Sequence, residues 1–241
     1  MFFSKRFGLL FIASPKTGST SVELYLKELD PEGERFKITL PERVIDSGFV
    51  KTPSLGHATA VEFKEVLGET QYSELSTFGF VRDPLDKLVS TYFFKKQGSV
   101  WKALRHTKGS RRFRVALRTA WGVILARLLP FSLWVRIWPM KRCSDYFLDH
   151  EGNFLVNYLG STERLNQDLL VILRELGIQP PAQVSVPRAN ASRHSVKEDY
   201  IGSEGLERFL KRRYLADIKL CELVRDGVWV NTKGAGLKAR L

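Results

Sequence analysis

Residues 14–20 read Ser-Pro-Lys-Thr-Gly-Ser-Thr and concentrate groups that bind anions in a single turn. Gly18 can adopt backbone angles closed to other residues, so backbone N–H groups can approach an anion closely. Ser19 and Thr20 supply hydroxyl donors, and Lys16 supplies a full positive charge. The start of the helix that follows adds a partial positive charge. The turn therefore predicts a site for a phosphate-like group.

This turn differs from the P-loop of nucleotide-triphosphate enzymes in the position of its lysine. In that P-loop the lysine directly follows the last glycine, whereas Lys16 comes two residues before Gly18. An ordinary turn before a capped helix is the alternative interpretation, because glycine and proline often only interrupt regular structure.

A second group of residues, 78–94, places an arginine and a serine around the start of a helix. Arg82 follows a short β-prone run, and Ser90 lies off the apolar stripe of the predicted helix. A guanidinium and a hydroxyl can converge there on one anion. The alternative is that Arg82 pairs with Asp83 or Asp86 and that Ser90 is a surface residue.

The two motifs together resemble the sulfotransferases that use 3′-phosphoadenosine 5′-phosphosulfate (PAPS). They read Pro-Lys-Thr-Gly-Ser-Thr and, later, Phe-Val-Arg-Asp-Pro-x-x-Lys-x-Val-Ser-x-Tyr. The nearest resemblance is to Golgi carbohydrate sulfotransferases, such as the heparan sulfate 2-O type, and to their bacterial relatives. It implies that the 5′-phosphosulfate is bound by Lys16, Thr17, Gly18, Ser19 and Thr20. It implies that Arg82 and Ser90 bind the 3′-phosphate.

The resemblance is looser elsewhere. Lys87 stands where the family usually has arginine, which keeps the charge but weakens a bidentate contact. The loop at 186–194 resembles one that carries a basic residue near the nucleotide, which makes Arg188 and Arg193 candidates. Resemblance is weakest at 30–56 and 97–145.

Sulfonate transfer needs a base at the acceptor and positive charge at the leaving oxygen, and it has no obligatory metal. Positioning and electrostatics do most of the catalysis in the related phosphoryl transfer. Lys16 is the natural group to stabilise the leaving oxygen. A base that titrates near neutrality favours histidine, and His57 lies between the motifs, where the resemblance implies a catalytic histidine or carboxylate. The alternatives are an exposed loop histidine or a carboxylate base: Glu62, Glu65 or Glu69.

Strands alternate with helices along the chain, which predicts an α/β fold. We expect a P-loop-like, three-layer fold in which helices flank a central parallel sheet. The predicted strands are 8–14, 77–82 and 155–160, with 36–40 and 47–51 as further candidates. The predicted helices are 19–29, 59–67, 84–96, 145–150, 163–176 and 203–225. The length suits a single sulfotransferase domain over 1–241, with a basic and apolar helical excursion at about 97–145.

The positive charge of the chain is concentrated in one segment. The chain holds 38 Lys and Arg against 26 Asp and Glu, and residues 95–144 contain 13 basic and no acidic residues. Within this segment, Thr119–Pro139 is strongly apolar. We favour a groove for an acidic glycan acceptor. Contact with an anionic membrane through 100–139 and an ordinary solvated basic face are the alternatives.

Several observations bear on location and class. A transmembrane span is not expected, because Arg127, Pro130 and Arg136 interrupt the apolar run. The first residues lack the pattern of a signal peptide, so we expect a cytoplasmic enzyme, peripheral at the membrane in the second interpretation, or a Golgi luminal one if the chain is trimmed. Cys143 and Cys221 form neither a disulfide framework nor a metal-ligand pattern.

The leading function is PAPS-dependent transfer of a sulfonate group to an acceptor hydroxyl, with a carbohydrate as the expected acceptor. A P-loop nucleotide kinase is the first alternative, although lysine does not follow the glycine. A basic membrane- or nucleic-acid-binding protein is the second, and it leaves both motifs unexplained, so no nucleic acid partner is expected. The acceptor, the choice between O- and N-sulfation and the oligomeric state stay open.

Overall fold

The structure is a computed structural model that describes residues 1–33, 57–101, 110–180, 200 and 204–230. The candidate strands at 36–40 and 47–51 lie outside the described residues. The chain forms two compact units. The sheet unit comprises 1–83, 142–189 and 215–241, and the helical unit comprises 84–141 and 190–214. A single domain with an excursion at about 97–145 stays a prediction.

The sheet unit is built on strands that lie side by side in chain order. They are β1 (Phe2–Ser4), β2 (Leu9–Phe11), β3 (Ser76–Val81), β4 (Tyr158–Ser161) and β5 (Trp229–Val230). The three central strands are parallel, and the two outer strands pair antiparallel with their neighbours. All of β2 is buried, as is β3 from Thr77 onward, so both faces of the central strands are covered. The predicted α/β fold with a central, mostly parallel sheet is confirmed.

The helices with described bounds are, in chain order, α1 (Ser19–Leu29), α2 (Ala60–Leu67), α3 (Glu69–Glu74), α4 (Pro84–Gln97), α5 (Ser110–Leu128), α6 (Phe131–Ile137), α7 (Ser144–Phe147), α8 (Leu165–Glu175), α9 (Glu204–Arg213) and α10 (Leu215–Leu223). Helices α4, α5, α6 and α9 belong to the helical unit, and the others belong to the sheet unit. None of the described helices has both the length and the apolar character needed to cross a bilayer.

Aromatic side chains fill the core around β2 and β3. The ring centroid of Phe78 lies 5.0 Å from that of Phe11 and 6.0 Å from that of Phe80. Between these rings, Gly79 lets Phe147 of α7 lie directly on the strand, because a Cβ on Gly79 would lie 2.2 Å from its ring. The close packing fixes the carboxyl end of β3, from which Arg82 follows.

Several predicted elements differ from those observed. The predicted helix at 145–150 is α7, which ends at Phe147 because the backbone is extended at Leu148. The predicted helix at 203–225 is divided into α9 and α10 at the buried Tyr214. Strands β1 and β5 and helix α3 were not predicted; they span three, two and six residues, and such short elements carry a weak periodic signal.

The helical unit has its own aromatic core. Tyr92, Trp134 and Trp138 pack in it, with ring centroids 5.3 Å apart for the first pair and 6.0 Å for the second. Lys87 is fully buried in this unit, and its Nζ donates a hydrogen bond to the carbonyl of Lys141 at 3.1 Å.

Candidate active site

The turn at residues 14–20, called here the anion turn, joins the β2 region to α1. Lys16 and Gly18 both have left-handed backbones, with φ of 66° and 72°. For a residue other than glycine this conformation costs about 1 kcal/mol, so the turn must be held by its surroundings. Thr17 is buried, and its Oγ1 donates to the carbonyl of Ser14 at 2.8 Å.

Gly18 is the N-cap of α1 and brings no capping side chain. A Cβ at this position would lie 2.9 Å from Cδ2 of Leu165, so packing and backbone angle both favour glycine. The first N–H groups of a helix have no partner within the helix, and the helix dipole makes this end positive. The start of the 11-residue α1 is therefore suited to an anion.

Lys16 is half-buried beside the start of this helix. Burial lowers the pKa of its ammonium group, and the positive charge of Arg82 lowers that pKa further. Two cations this close favour an anion between or beside them, because the anion offsets their mutual repulsion.

Arg82 directly follows β3, and its guanidinium lies at the anion turn. One terminal nitrogen donates to the carbonyl of Lys16 at 2.8 Å. A guanidinium has five N–H donors in a planar fork, so it can hold this carbonyl and bind an anion at the same time. The contact brings together the two motifs, at 14–20 and at 78–94.

The other predicted donor-binding residues have different surroundings. Ser19 is half-buried and Thr20 is exposed, both in the first turn of α1. Because the Thr17 hydroxyl donates to Ser14, any hydrogen bond from Thr17 to an anion falls to its backbone N–H. Ser90 is buried in α4 of the helical unit, and its joint contact with Arg82 on one phosphate stays a prediction. Arg188 and Arg193 lie outside the described residues.

His57 lies against the residue that precedes the anion turn. Its Nδ1 is 2.8 Å from the carbonyl oxygen of the buried Ala13. A carbonyl can only accept a hydrogen bond, so Nδ1 carries the proton and Nε2 is the basic nitrogen of the neutral ring. This arrangement fixes both the tautomer and the orientation of the imidazole.

The carboxylates considered as alternative bases are occupied otherwise or lie apart. Glu62 is buried in a capping box: its carboxylate accepts from the N–H of Thr59 at 2.6 Å, and its own N–H donates to the Thr59 hydroxyl at 3.2 Å. Glu69 forms an ion pair with Lys64 at 2.8 Å, and Glu65 is exposed. The capping box fixes the start of α2, whose N-cap Thr59 comes two residues after His57.

A second layer behind the anion turn was not assigned a role from the sequence. Oγ of Ser14 and Sγ of Cys143 are 3.6 Å apart in the core. The carboxylate of Asp217, which is fully buried, accepts from the N–H groups of Cys143 at 2.7 Å and Ser144 at 2.9 Å. These contacts join residues far apart in the chain, so no local pattern indicates them.

The sequence matches the profile of the sulfotransferase family over residues 1–224. The chain belongs to the sulfotransferase family. A search of curated proteins gave no match. Family membership makes the chain a sulfotransferase, an enzyme that moves a sulfonate group to an acceptor that bears a hydroxyl, in a family that generally uses PAPS as donor. The identification made from the motifs is thus confirmed at the level of the family and its reaction.

Proposed function

We propose that this sulfotransferase moves the sulfonate group of PAPS in line to a hydroxyl of a carbohydrate, with His57 as the base. The observation that carries the proposal is the convergence of Lys16, Arg82 and His57 on the anion turn. Arg82 donates to the carbonyl of Lys16, and His57 bonds Ala13, one residue before the turn. The contacts at Ala13 and Lys16 support this proposal, in which the cations act on a leaving phosphate and the histidine acts on an incoming hydroxyl.

The residues of the turn fit the phosphosulfate end of the donor. The left-handed Gly18 admits an anion close to the backbone, and the uncapped start of α1 faces it with N–H groups. Ser19 and Thr20 add hydroxyls, and Thr17 adds its backbone N–H. We assign the 3′-phosphate to Arg82, Ser90 and a basic residue of the 186–194 loop, Arg188 or Arg193, on the strength of the motif resemblance.

Lys16 acts on the charge that develops at the leaving oxygen. PAPS supplies the transferable sulfonate and a phosphate leaving group. Preorganised cations are worth most where charge appears in the transition state. In this proposal Lys16 lies at the leaving oxygen, and Arg82 beside it also offsets the negative charge that develops there.

His57 takes the proton of the acceptor hydroxyl on Nε2. The carbonyl of Ala13 holds the Nδ1 proton, so the ring meets the acceptor in the tautomer that can accept. After transfer the ring is an imidazolium, and Ala13 still accepts from Nδ1. The motif resemblance favours a sugar hydroxyl as acceptor, of the kind that the heparan sulfate 2-O enzymes use.

Nucleotide preference tests the donor assignment. A ligand that binds only the folded state raises the unfolding temperature. We expect adenosine 3′,5′-bisphosphate to stabilise the chain without a metal, and ATP with Mg²⁺ to do so less. A clear preference for ATP with Mg²⁺ would instead favour a kinase-type site.

Replacement of His57 tests the base. His57→Asn keeps an N–H donor for Ala13 but lacks a basic nitrogen, so we expect transfer to fall by about 100-fold or more. Binding of adenosine 3′,5′-bisphosphate is expected to stay unchanged. His150→Ala, which alters an exposed histidine in the turn after α7, is the matched control. Full activity of His57→Asn in a labelled-sulfate assay would remove His57 from the mechanism.

A further inference from the structure

Helix α5 of the helical unit carries a narrow apolar stripe that is open to solvent. Leu117, Trp121 and Leu128 are 37%, 58% and 75% exposed, and Ile124 is partly exposed. Their spacing of four, three and four residues places them within about 60° of arc on one side of the helix. The buried positions of α5 occupy another side: Ala116, Ala120, Val123 and Ala126.

The next helix, α6, also carries apolar side chains that are open to solvent. On α6, Leu133 and Ile137 are 50% and 58% exposed and lie one turn apart. Phe131, Trp134 and Val135 of the same helix are buried and belong to the core of the helical unit. The six exposed or partly exposed side chains of α5 and α6 are called here the apolar stripe.

Arginines flank the stripe on α5. Arg118 and Arg127 each lie about a quarter turn from it, on opposite sides, and both are exposed. The guanidinium of Arg118 lies 6.0 Å from the ring centroid of Trp138. That of Arg127 donates to the carbonyls of Lys96 at 3.2 Å and Gly98 at 2.7 Å. Both charges are therefore held beside the stripe rather than left at the ends of freely rotating chains.

No negative side chain offsets these charges nearby in the sequence. Residues 95–144 contain 13 Lys and Arg and no Asp or Glu. A ridge of Leu, Ile and Trp flanked by cations is the composition of a helix that lies in the interface of an anionic bilayer. A sugar polymer would match the charge but would leave Leu128, Leu133 and Ile137 without apolar contacts.

We propose that the apolar stripe docks the helical unit onto the surface of an anionic lipid bilayer. Trp121, Leu128 and Ile137 enter the boundary between headgroups and acyl chains, and α5 lies along the membrane plane. Arg118 and Arg127 stay at the level of the lipid phosphates. We favour a bilayer as the occupant because the surface combines exposed apolar side chains with positive charge. An anionic lipid offers acyl chains to the first and phosphate groups to the second.

Vesicle flotation tests this docking. We expect the chain to bind vesicles of phosphatidylcholine with phosphatidylglycerol at low salt, to bind phosphatidylcholine alone weakly, and to release from the anionic vesicles as salt rises. The double variant Trp121→Ser, Leu128→Ser is expected to lower partitioning at least about tenfold, because both apolar contacts are lost. Arg118→Gln is expected to weaken binding to the anionic vesicles by about fivefold.

The control is Val171→Ser, which removes a 41% exposed apolar residue from α8 of the sheet unit and should leave binding unchanged. Unfolding curves of each variant identify any loss of fold, and Leu133→Ser provides an independent change on α6.

Three results would overturn the proposal. One is absence of binding to anionic vesicles at low salt. Another is equal binding by the stripe variants and the unchanged chain. The third is a dimer in solution that Trp121→Ser dissociates, which would make the stripe an interface between copies of this chain.

Discussion

Lys16 is a cation that the fold makes easier to deprotonate. Burial and the charge of Arg82 both lower its pKa below the ordinary value of 10.5. The folded state therefore binds fewer protons at this group than the unfolded state. The contribution of Lys16 to the free energy of unfolding rises as the pH passes from the lowered pKa to the ordinary one. Anion binding acts in the opposite direction, because a bound phosphate favours the charged ammonium and raises its pKa.

Affinity for adenosine 3′,5′-bisphosphate is expected to fall as pH rises through the lowered pKa of Lys16 toward the ordinary value of 10.5. At pH values between the pKa of Lys16 in the free protein and its pKa in the complex, Lys16 is protonated in the complex and deprotonated in the free protein. Calorimetric titration across this range measures the slope. The phosphates themselves change little there, since their second pKa lies near 6.

Two variants separate the charge of Lys16 from its backbone. Asparagine tolerates the left-handed conformation, so Lys16→Asn should weaken binding and flatten the slope while the turn keeps its shape. Lys16→Arg keeps the charge throughout the range and should flatten the slope with a smaller loss of affinity. An unchanged slope in Lys16→Asn would assign the pH dependence to another group.

The residues of the turn were predictable from sequence, but their contacts were not. Lysine, glycine and hydroxyl residues at 16–20 indicate an anion site by type and spacing alone. The contact of Arg82 with the Lys16 carbonyl spans 66 positions, and that of His57 with Ala13 spans 44. Such pairs depend on which strands are neighbours in the sheet, and a local pattern carries no information about that.

At the scale of elements, the capping box of α2 is what holds the chain just after His57. Thr59 and Glu62 satisfy each other's backbone N–H groups, which fixes where the helix begins. The capping box therefore helps to position the backbone of His57, while the carbonyl of Ala13 orients its ring.

Thr59→Ala is expected to lower the free energy of unfolding by about 1 kcal/mol, because the cap is lost. It should also lower kcat more than it raises KM, since the imidazole is less well held while the donor turn is intact. Denaturant titration and steady-state kinetics measure the two effects.

The conservative partner of this test is Glu62→Gln. Glutamine can serve in the capping box, so this variant should retain most of the stability and kcat, whereas Glu62→Ala should lose both. If Glu62→Gln lost transfer as completely as His57→Asn, Glu62 would have to act as more than a positioning residue.

Element boundaries were predictable where a local residue sets them. Helix α1 has the predicted bounds, 19–29, because Gly18 at its start is a local signal. The break between α9 and α10 has no such signal. The buried residues around it keep a helical spacing through Tyr214. However, Leu210 of α9 belongs to the core of the helical unit, whereas Leu220 of α10 belongs to the core of the sheet unit. Which core each helix packs into depends on the tertiary structure, so a local sequence pattern does not indicate the break.

At the scale of the whole molecule, the sheet unit is assembled from three separate stretches of chain, 1–83, 142–189 and 215–241. Asp217 of the last stretch binds the N–H groups of Cys143 and Ser144 in the middle one. The hydroxyl of Ser14, in the first stretch, contacts the thiol of the same Cys143. One buried carboxylate thus links the end of the chain to the layer behind the anion turn.

Asp217→Ala is expected to lower the free energy of unfolding by about 3 kcal/mol, because two hydrogen bonds to a charged group are lost and two buried N–H groups are left unpaired. Asp217→Asn keeps one acceptor oxygen and should lose less. Asp226→Ala, which alters an exposed residue shortly after α10, serves as the control and should change little. Equal stability of Asp217→Ala and Asp226→Ala would contradict the structural role.

The fold class was predictable at this scale because strand and helix patterns alternate along the sequence. The division into two units was not. As a sequence, the apolar residues of 119–139 are compatible with an acceptor groove, which we favoured, with a membrane face and with a buried core. Only the separation of Trp134, which is fully buried, from Trp121, which is 58% exposed, distinguishes core from surface.

The order of the strands also bears on how the chain folds as it leaves the ribosome. Each described strand pairs with the one synthesised just before it, so the sheet can lengthen at one edge without reopening a formed pair. Until Trp229 and Val230 emerge, the edge of β4 stays unpaired, and such edges invite association with other chains. The nascent enzyme therefore presents an open sheet edge late in its synthesis, between the release of β4 and that of β5.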